Sequence, residues 1–414
     1  MIKSLRTEDL GLSPEMYVEW APRLNLITGD NGLGKSFLLD LSWFALTKTW
    51  AWHPIIPHSG RRIGTLEFEI DGGGEALQHR ALIALNGEDA MLDLGRPTTK
   101  NVVVYVRVDG GLSVWDPLRN GELGAKTSPE AFNFNGNDIW DGLKNGEVDV
   151  CEGLERDWVS WQKGNEPQFA TLTKVLEELS PPNEPIVPGI PRRVFLGEGR
   201  DRPTIQFAEQ IVPVVHASSG MRRILSVAYA LVWAWYEHTF AAKLLNQPVG
   251  PGMVVLFEEV ENHLHPKWQR KILPSLLKVI SSLRGPNFRT PQMLVTTHAP
   301  LVLASVEPFF SRESDDLIHL DLRDGQVVLE QGFWTKEGDT TNWLVSETFG
   351  LKQARNLPAE RAIEAAEAFM RGDLAALPEE LDTEEKIDAD LRRLLPSHDE
   401  FWPRWPHETG ALRD

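Results

Sequence analysis

A single cysteine, Cys151, stands in 414 residues. That excludes an intramolecular disulfide framework and suits a reducing cytosol. Long apolar runs are missing too. The longest near-apolar stretch, Ile224 to Tyr236, is broken by Ser226 and is too short to span a bilayer; it reads as a buried helix. The opening MIKSLRTEDL lacks the apolar core of a signal peptide, so a cytoplasmic protein with no membrane partner is expected. Positive charge is also short. Against 60 acidic residues stand 42 Lys and Arg, a net charge of −18, which argues against a general nucleic-acid coat, because phosphate binding needs a concentrated positive surface. A DNA partner would require a local basic groove, and Arg192-Arg193, Arg222-Arg223 and Arg270-Lys271 read more simply as solvated or ion-paired clusters.

Tryptophan, in contrast, is plentiful. Trp233 and Trp235 fall in the apolar helix, where packing accounts for them, and Trp158 and Trp161, three apart, share a helix face against core or partner. The length allows two or three domains. A buried strand, Leu24 to Thr28, runs into GDNGLGKS and then into SFLLDLSWFALTKTW, which reads as an amphipathic helix with Phe37, Leu38, Leu41, Phe44 and Ala45 on one face. Strands are expected at 65–70 and 78–85, joined by DGGGE, and at 102–108. Residues 117–191 change character, rich in Asn, Gly, Pro and Trp with one clear helical patch at 169–179, and read as an inserted lobe. Strand and helix signals resume with IVPVVHA, a helix after Gly220, MVVLF, a helix after Pro266 and MLVTTH. This alternation predicts an α/β fold with a mostly parallel sheet. The expected divisions are 1–116 and 192–335 for the two parts of a core, 117–191 for the lobe and 336–414 for an acidic helical tail ending in FWPRWPH.

GDNGLGKS fits G-x-x-x-x-G-K-[ST] at every fixed position, between the strand and the helix the motif requires. Its backbone, from Gly29 through Asp30, Asn31, Gly32, Leu33 and Gly34 to Lys35 and Ser36, would turn successive N–H groups toward phosphate oxygens at a helix N-terminus, with Phe37 directly following. Lys35 would reach the β- and γ-phosphates of ATP, and the Ser36 hydroxyl would take a place on Mg²⁺. A second oxygen ligand is then needed at the tip of a neighbouring strand. VVLF, ending at Phe257, is followed by Glu258 and Glu259, one acid for the metal and one to orient or deprotonate water.

The segment EEVENHLHPKWQR resembles the DE-x-E-x-H-L-H-P segment of ABC-type P-loop ATPases in the OLD, RecF and SMC group, with Glu258 where those proteins carry Asp. The resemblance places His263 and His265 at a turn used for subunit contacts; as zinc ligands they would lack the third and fourth donors that zinc wants. VVHASSGMRR resembles a degenerate ABC signature, in which Ser218, Ser219 and Gly220 of one subunit would close on ATP held by the cradle of another, making a homodimer or higher homo-oligomer. MLVTTHAPLVL resembles the strand that ends in a switch histidine, here His298, contacting the γ-phosphate. Neither Gln78 nor Asp109 is assigned as the family's glutamine, and Arg6, taken to end the first strand, is a candidate to approach the base. VWDP, IWDGL and WVSWQ resemble bacterial stand-alone ATPases of AAA type, some of which work beside a nuclease or toxin effector in phage defence, as in Septu or PARIS systems.

The resemblance implies an ATP hydrolase that uses dimer closure to control a protein effector. An ATP-stabilised scaffold or inhibitor with little turnover is the alternative, supported by Glu258, and a RecF-like DNA repair ATPase is the weaker third. The acids of GEGRD (197–201) and of Asp388-Ala389-Asp390 read as structural rather than as parts of a nuclease.

Overall fold

The computed structural model describes residues 1–71, 76–84, 99–120, 130–207, 210–285 and 290–405. The DGGGE turn beyond Asp71, Leu85 and the last two residues of FWPRWPH lie outside the described residues.

Alternation shapes the N-terminal strands. In β1 (Ile2–Leu10) and β2 (Ser13–Glu19), Leu5, Thr7, Met16 and Val18 face inward, while Arg6, Glu8, Glu15 and Tyr17 face solvent. Arg6 therefore lies within β1, ion-paired to Glu15, rather than at a strand end near a base. β3 (Leu24–Gly29) is buried over nearly its whole length and leads into α1 (Lys35–Thr47). β4 (Ile63–Asp71) and β5 (Ala76–Ala84) complete an antiparallel sheet of order β2-β1-β4-β5. α1 is not amphipathic. Leu38, Leu39, Leu41, Trp43 and Phe44 are all buried, because the helix touches strands of both sheets and has little solvent face.

β6 (Val102–Val106) stops two residues short of the expected Val108, and β7 (Leu112–Trp115) and β8 (Phe132–Phe134) follow it. The chain then forms α2 (Gly136–Asp141), β9 (Leu143–Asn145), β10 (Val148–Cys151), α3 (Leu154–Gly164), α4 (Pro167–Leu179) and β11 (Val187–Pro188). Because β8 is an edge strand of the main sheet, the 117–191 stretch begins within the core and is not wholly an insertion. β12 (Thr204–Phe207) pairs with β13 (Gln210–Pro213), and the expected IVPVVHA strand ends there: Val214–His216 is a 3₁₀ turn that delivers the chain to α5 (Ser219–Leu244). The lobe is fixed to α5 by Trp161, stacked on Tyr229 at 5.7 Å, and by the Trp140 indole N–H donating to Ser226 Oγ at 3.0 Å.

β14 (Met253–Phe257), α6 (Pro266–Ser282), β15 (Gln292–Thr296), α7 (Pro300–Val306), β16 (Asp315–Arg323) and β17 (Gln326–Gln331) complete the first unit. The main sheet has the order β17-β16-β3-β15-β14-β6-β7-β8. β16, β3, β15, β14 and β6 run parallel, and the outer strands are antiparallel. The apolar runs of β3, β14 and β15 are what a sheet covered on both faces requires. Parallel pairing brings the C-terminal ends of β3, β6, β14 and β15 to one edge, where ligands bind in open α/β sheets.

Residues 339–405 form a second compact unit, containing α8 (Thr340–Val345), α9 (Leu357–Arg371) and α10 (Glu384–Leu394). Ala362, Ile363 and Ala366 of α9 pack with Ile387 and Leu391 of α10 in a small apolar core. The acidic stretch is thus a packed body and not a tail; apart from Asp388, buried in α10 against Trp405, the charges of α9 and α10 lie on helix faces opposite the buried ones. No helix among the described residues is long and apolar enough to cross a membrane.

Candidate functional site

The cradle follows β3. Gly29 takes φ +131°, and a Cβ there would run into the Leu320 carbonyl oxygen of the adjacent strand, so only glycine fits. Gly34, at φ +98°, starts α1. Asp30, Asn31 and Gly32 are exposed, and Leu33 is buried beneath them. Lys35 is buried and curls back, its ammonium donating to the carbonyl oxygens of Gly29 and Asp30 at 2.8 Å each. Burial pushes its pKa down, opposed by Glu259 and Asp30. Its three donors are therefore held at the mouth of the cradle, ready to exchange carbonyl oxygens for phosphate oxygens.

The two acids separate as soon as β14 ends. Glu258 turns inward: its Oε1 accepts from Ser36 Oγ, and its Oε2 accepts from the Val108 backbone N–H at 2.9 Å. Glu259 stays more open, with 37% of its side chain exposed, and its backbone lies at φ +45°, a left-handed conformation rare for a non-glycine residue. Its N–H donates to Thr296 Oγ1 at 2.8 Å. The next acid, Glu261, turns back beneath β15. Its carboxylate accepts from Thr297 Oγ1 at 2.8 Å and from the His298 backbone N–H at 2.6 Å. Burial raises its pKa.

His298 stands at the end of β15 with Nε2 buried, without a hydrogen-bond partner and 3.9 Å from Glu259 Oε1. Burial and the nearby Lys35 charge push its pKa down. A neutral imidazole with an unused ring nitrogen beside an acid and a lysine is suited to meeting a phosphate oxygen.

Ser36 and Glu258 together offer hard oxygen donors at one point, a set that fits Mg²⁺, which takes only one or two protein ligands beside phosphate and water. The longer glutamate suits its surroundings, since one carboxylate oxygen reaches Val108 while the other faces Ser36.

Ser218 caps α5, accepting from the Met221 N–H at 3.4 Å. Both Ser218 and Ser219 are exposed, and among the described residues neither bonds to the cradle. Gly220 lies so close to the turn after β14 that a Cβ would come within 2.7 Å of the His263 carbonyl oxygen. His263 is exposed at φ +62°, and His265 caps α6 by accepting from the Lys267 N–H at 3.3 Å. Asp109 follows β6 beside this edge and accepts from the Gly111 N–H at 2.7 Å, whereas Gln78 lies in the separate antiparallel sheet. The acids of GEGRD and of Asp388-Ala389-Asp390 are taken up by cations: Glu198 by Arg202, Asp201 by Lys163, Asp388 by Arg392 and Asp390 by Arg393.

Three residues escaped the sequence reading. Glu261 lay in plain sight within EEVE, but its partners are 36 and 37 residues away. Asp40, one turn after Ser36 on the same helix face, is pushed up to about 7 by burial and by Glu258, against a hydrogen bond from Tyr105; its i+4 spacing from Ser36 was the available signal. Arg223, in the second turn of α5, was expected in a solvated or ion-paired cluster, but it is buried with Nε and Nη2 unpartnered, because α5 turns it into the fold. Burial holds it down at about 10 despite the charges of Asp109, Glu258 and Glu259.

Residues 208–304 match the family described as "AAA domain, putative AbiEii toxin, Type IV TA system". A stretch of 54 residues is 39% identical to "Retron Ec83 probable ATPase" of Escherichia coli, covering 13% of this chain and 8% of the relative. Another of 62 residues is 39% identical to "Retron Vc95 probable ATPase" of Vibrio cholerae serotype O1 biovar El Tor, covering 15% and 10%. The matches thus span a tenth or less of these curated relatives. Among solved structures, an SMC head bound to the C-winged helix domain of ScpA aligns over 80% of this chain and 97% of its own, at 14% identity and a TM-score of 0.45. The family match covers α5, the acid pair and His298, and the cradle that precedes it meets those residues at the sheet edge; in these parts the chain is similar to P-loop ATPases.

Proposed function

We propose that this chain binds Mg–ATP between its own cradle and the signature of a second copy, hydrolyses it slowly, and uses dimer closure to control a protein effector, a nuclease or toxin, in phage defence. One observation carries this reading. Lys35, Ser36, Glu258, Glu259 and His298 converge at one sheet edge, while Ser218 and Ser219 of the same chain stand exposed and unbonded to that edge. An exposed helix N-terminus without an in-chain ligand suits the phosphate of another subunit.

In this reading Lys35 exchanges its two carbonyl partners for β- and γ-phosphate oxygens. Mg²⁺ held by Ser36 and Glu258 would neutralise phosphate charge. Glu259 aligns the attacking water and takes its proton, and neutral His298 donates a hydrogen bond to the γ-phosphate. The family description names a toxin and a type IV toxin–antitoxin system, which supports work in a toxin-based defence. The scaffold alternative is favoured by one feature, the engagement of both Glu258 oxygens by protein donors.

The test is steady-state ATP hydrolysis with Mg²⁺ by the wild type, Lys35→Ala and Glu259→Ala, with mass followed in solution. Turnover lost in both variants, with ATP-dependent dimers in the wild type, supports the switch. Tight ATP binding without wild-type turnover favours the scaffold.

A further inference from the structure

The connection from β11 to β12 is an ordered finger with an apolar tip. Gly189 N–H donates to the Thr204 carbonyl at 2.8 Å, and Arg192 and Arg202 exchange backbone hydrogen bonds at 3.0 and 2.8 Å, closing its base. Nearer the tip, Glu198 N–H donates to the Phe195 carbonyl at 3.2 Å and Arg193 Nη1 to the Glu198 carbonyl at 3.0 Å. This fixed loop holds Leu196 fully in solvent and Ile190 71% exposed, with Arg192 and Arg193 exposed between them. A rigid loop that presents large apolar side chains to water marks an interaction surface.

Its place in the fold indicates what it meets. The finger grows from the small β11-β12-β13 sheet, whose last strand runs directly into the signature. The Phe195 ring meets the His216 ring edge-on, 6.4 Å between centroids, two residues before Ser218. The finger and the exposed serines therefore share one face.

A matching surface lies beside the cradle. Leu12, at the turn between β1 and β2, is 51% exposed, and its Cδ1 lies 3.5 Å from where a Cβ on Gly34 would stand. Ile56 adjoins it, 60% exposed, accepting from the Gly11 N–H through its carbonyl. Glu8 stands exposed beside this patch, directly opposite Glu15 across β1 and β2; Glu15 is ion-paired to Arg6 of its own chain. The finger thus offers an apolar tip with exposed Arg192 beside the signature, and the cradle side offers an apolar patch with exposed Glu8.

We propose that the finger is a docking element for a second copy of this chain, with Phe195 and Leu196 seating on the partner copy's Leu12 and Ile56 patch and Arg192 approaching its Glu8. This rests on the head-to-tail reading above and names the contacts that bring the signature to the opposite cradle. Two-fold symmetry forms the contact twice.

The test uses the full chain. Leu196→Asp and Leu12→Asp alter exposed side chains, so folding and the ATP affinity of the monomer are expected to match the wild type. ATP-dependent dimerisation, followed by light scattering across a concentration series, is expected to weaken at least about tenfold in each variant, as for a central apolar anchor. Mixing Leu196→Cys with Leu12→Cys in the presence of Mg–ATP and a short bismaleimide should yield a covalent dimer that neither variant yields alone; the native Cys151 is buried. Wild-type dimers that persist unchanged in Leu196→Asp, without cross-linking of the mixed pair, overturn the finger while leaving the ATP-dependent dimer standing. A wild type that stays monomeric with Mg–ATP overturns both.

Discussion

The Glu261 carboxylate accepts the backbone N–H of His298 at 2.6 Å and the hydroxyl of Thr297 at 2.8 Å, so the turn after β14 holds the end of β15 in place. With Val260 N–H donating to the Thr296 carbonyl and Glu259 N–H to Thr296 Oγ1, the proposed water-activating acid and the proposed phosphate sensor are positioned by one network. Glu261→Ala leaves two donors without their acceptor. ATP turnover is expected to fall roughly 10²-fold, as for a misplaced catalytic group, while nucleotide affinity, read by fluorescent-ATP titration, stays near the wild-type value. Undiminished turnover would mean that the β15 end holds its own position.

Glu258 stands where the sequence resemblance expects an Asp. Its reach to both Ser36 and Val108 predicts that Glu258→Asp, one methylene shorter, gives up one of the two contacts. A Mg²⁺ titration of turnover should then shift to higher concentration by about tenfold, the loss typical of a disturbed ligand environment. Faster turnover in the variant would instead identify the glutamate as a brake.

Asp40 predicts a pH dependence of stability. Its carboxyl is raised from 3.8 to about 7 on folding, so the folded state holds the proton more tightly than the unfolded chain. The resulting stabilisation is complete below pH 3.8 and is lost as pH rises through about 7. Asp40→Asn, which mimics the protonated form, should therefore raise Tm more at pH 8 than at pH 5. Equal shifts at both values would contradict a raised carboxyl.

Gly29 and Gly32 both have positive φ, at +131° and +82°, but only Gly29 faces a backbone oxygen; the space around Gly32 is open. Gly32→Ala is expected to cost about 1 kcal/mol of backbone strain, near the low end for such positions. Gly29→Ala adds a clash with Leu320 and should cost more than the ~3 kcal/mol upper end of strain alone. Denaturant unfolding of the two variants distinguishes them, and equal losses would refute the proposed steric difference.

Much of the site was legible because each part is short and local. GDNGLGKS, VVLFEE and TTH each place their chemistry at the end of an apolar strand, and a parallel sheet of such strands brings those ends together. What escaped depends on contacts distant in sequence. The all-round burial of α1 follows from a second sheet that no local pattern in residues 35–47 reveals. Glu261 resembles any other acid in its segment until β15 is laid beside β14. The packing of residues 339–405 comes from small alanines on α9, which also satisfy the pattern of an exposed acidic helix.

The backbone of Glu259 adds a different kind of constraint. At φ +45° a side chain with a Cβ bears a strain of about 1–3 kcal/mol that glycine would not. Durability and chemistry therefore favour different amino acids at this position. Glycine would make the sturdier fold, whereas a carboxylate beside His298 provides the proposed water-activating group. A screen that selected variants for thermal resistance alone would be drawn toward Glu259→Gly, and would return a more robust protein without the proposed water-activating acid.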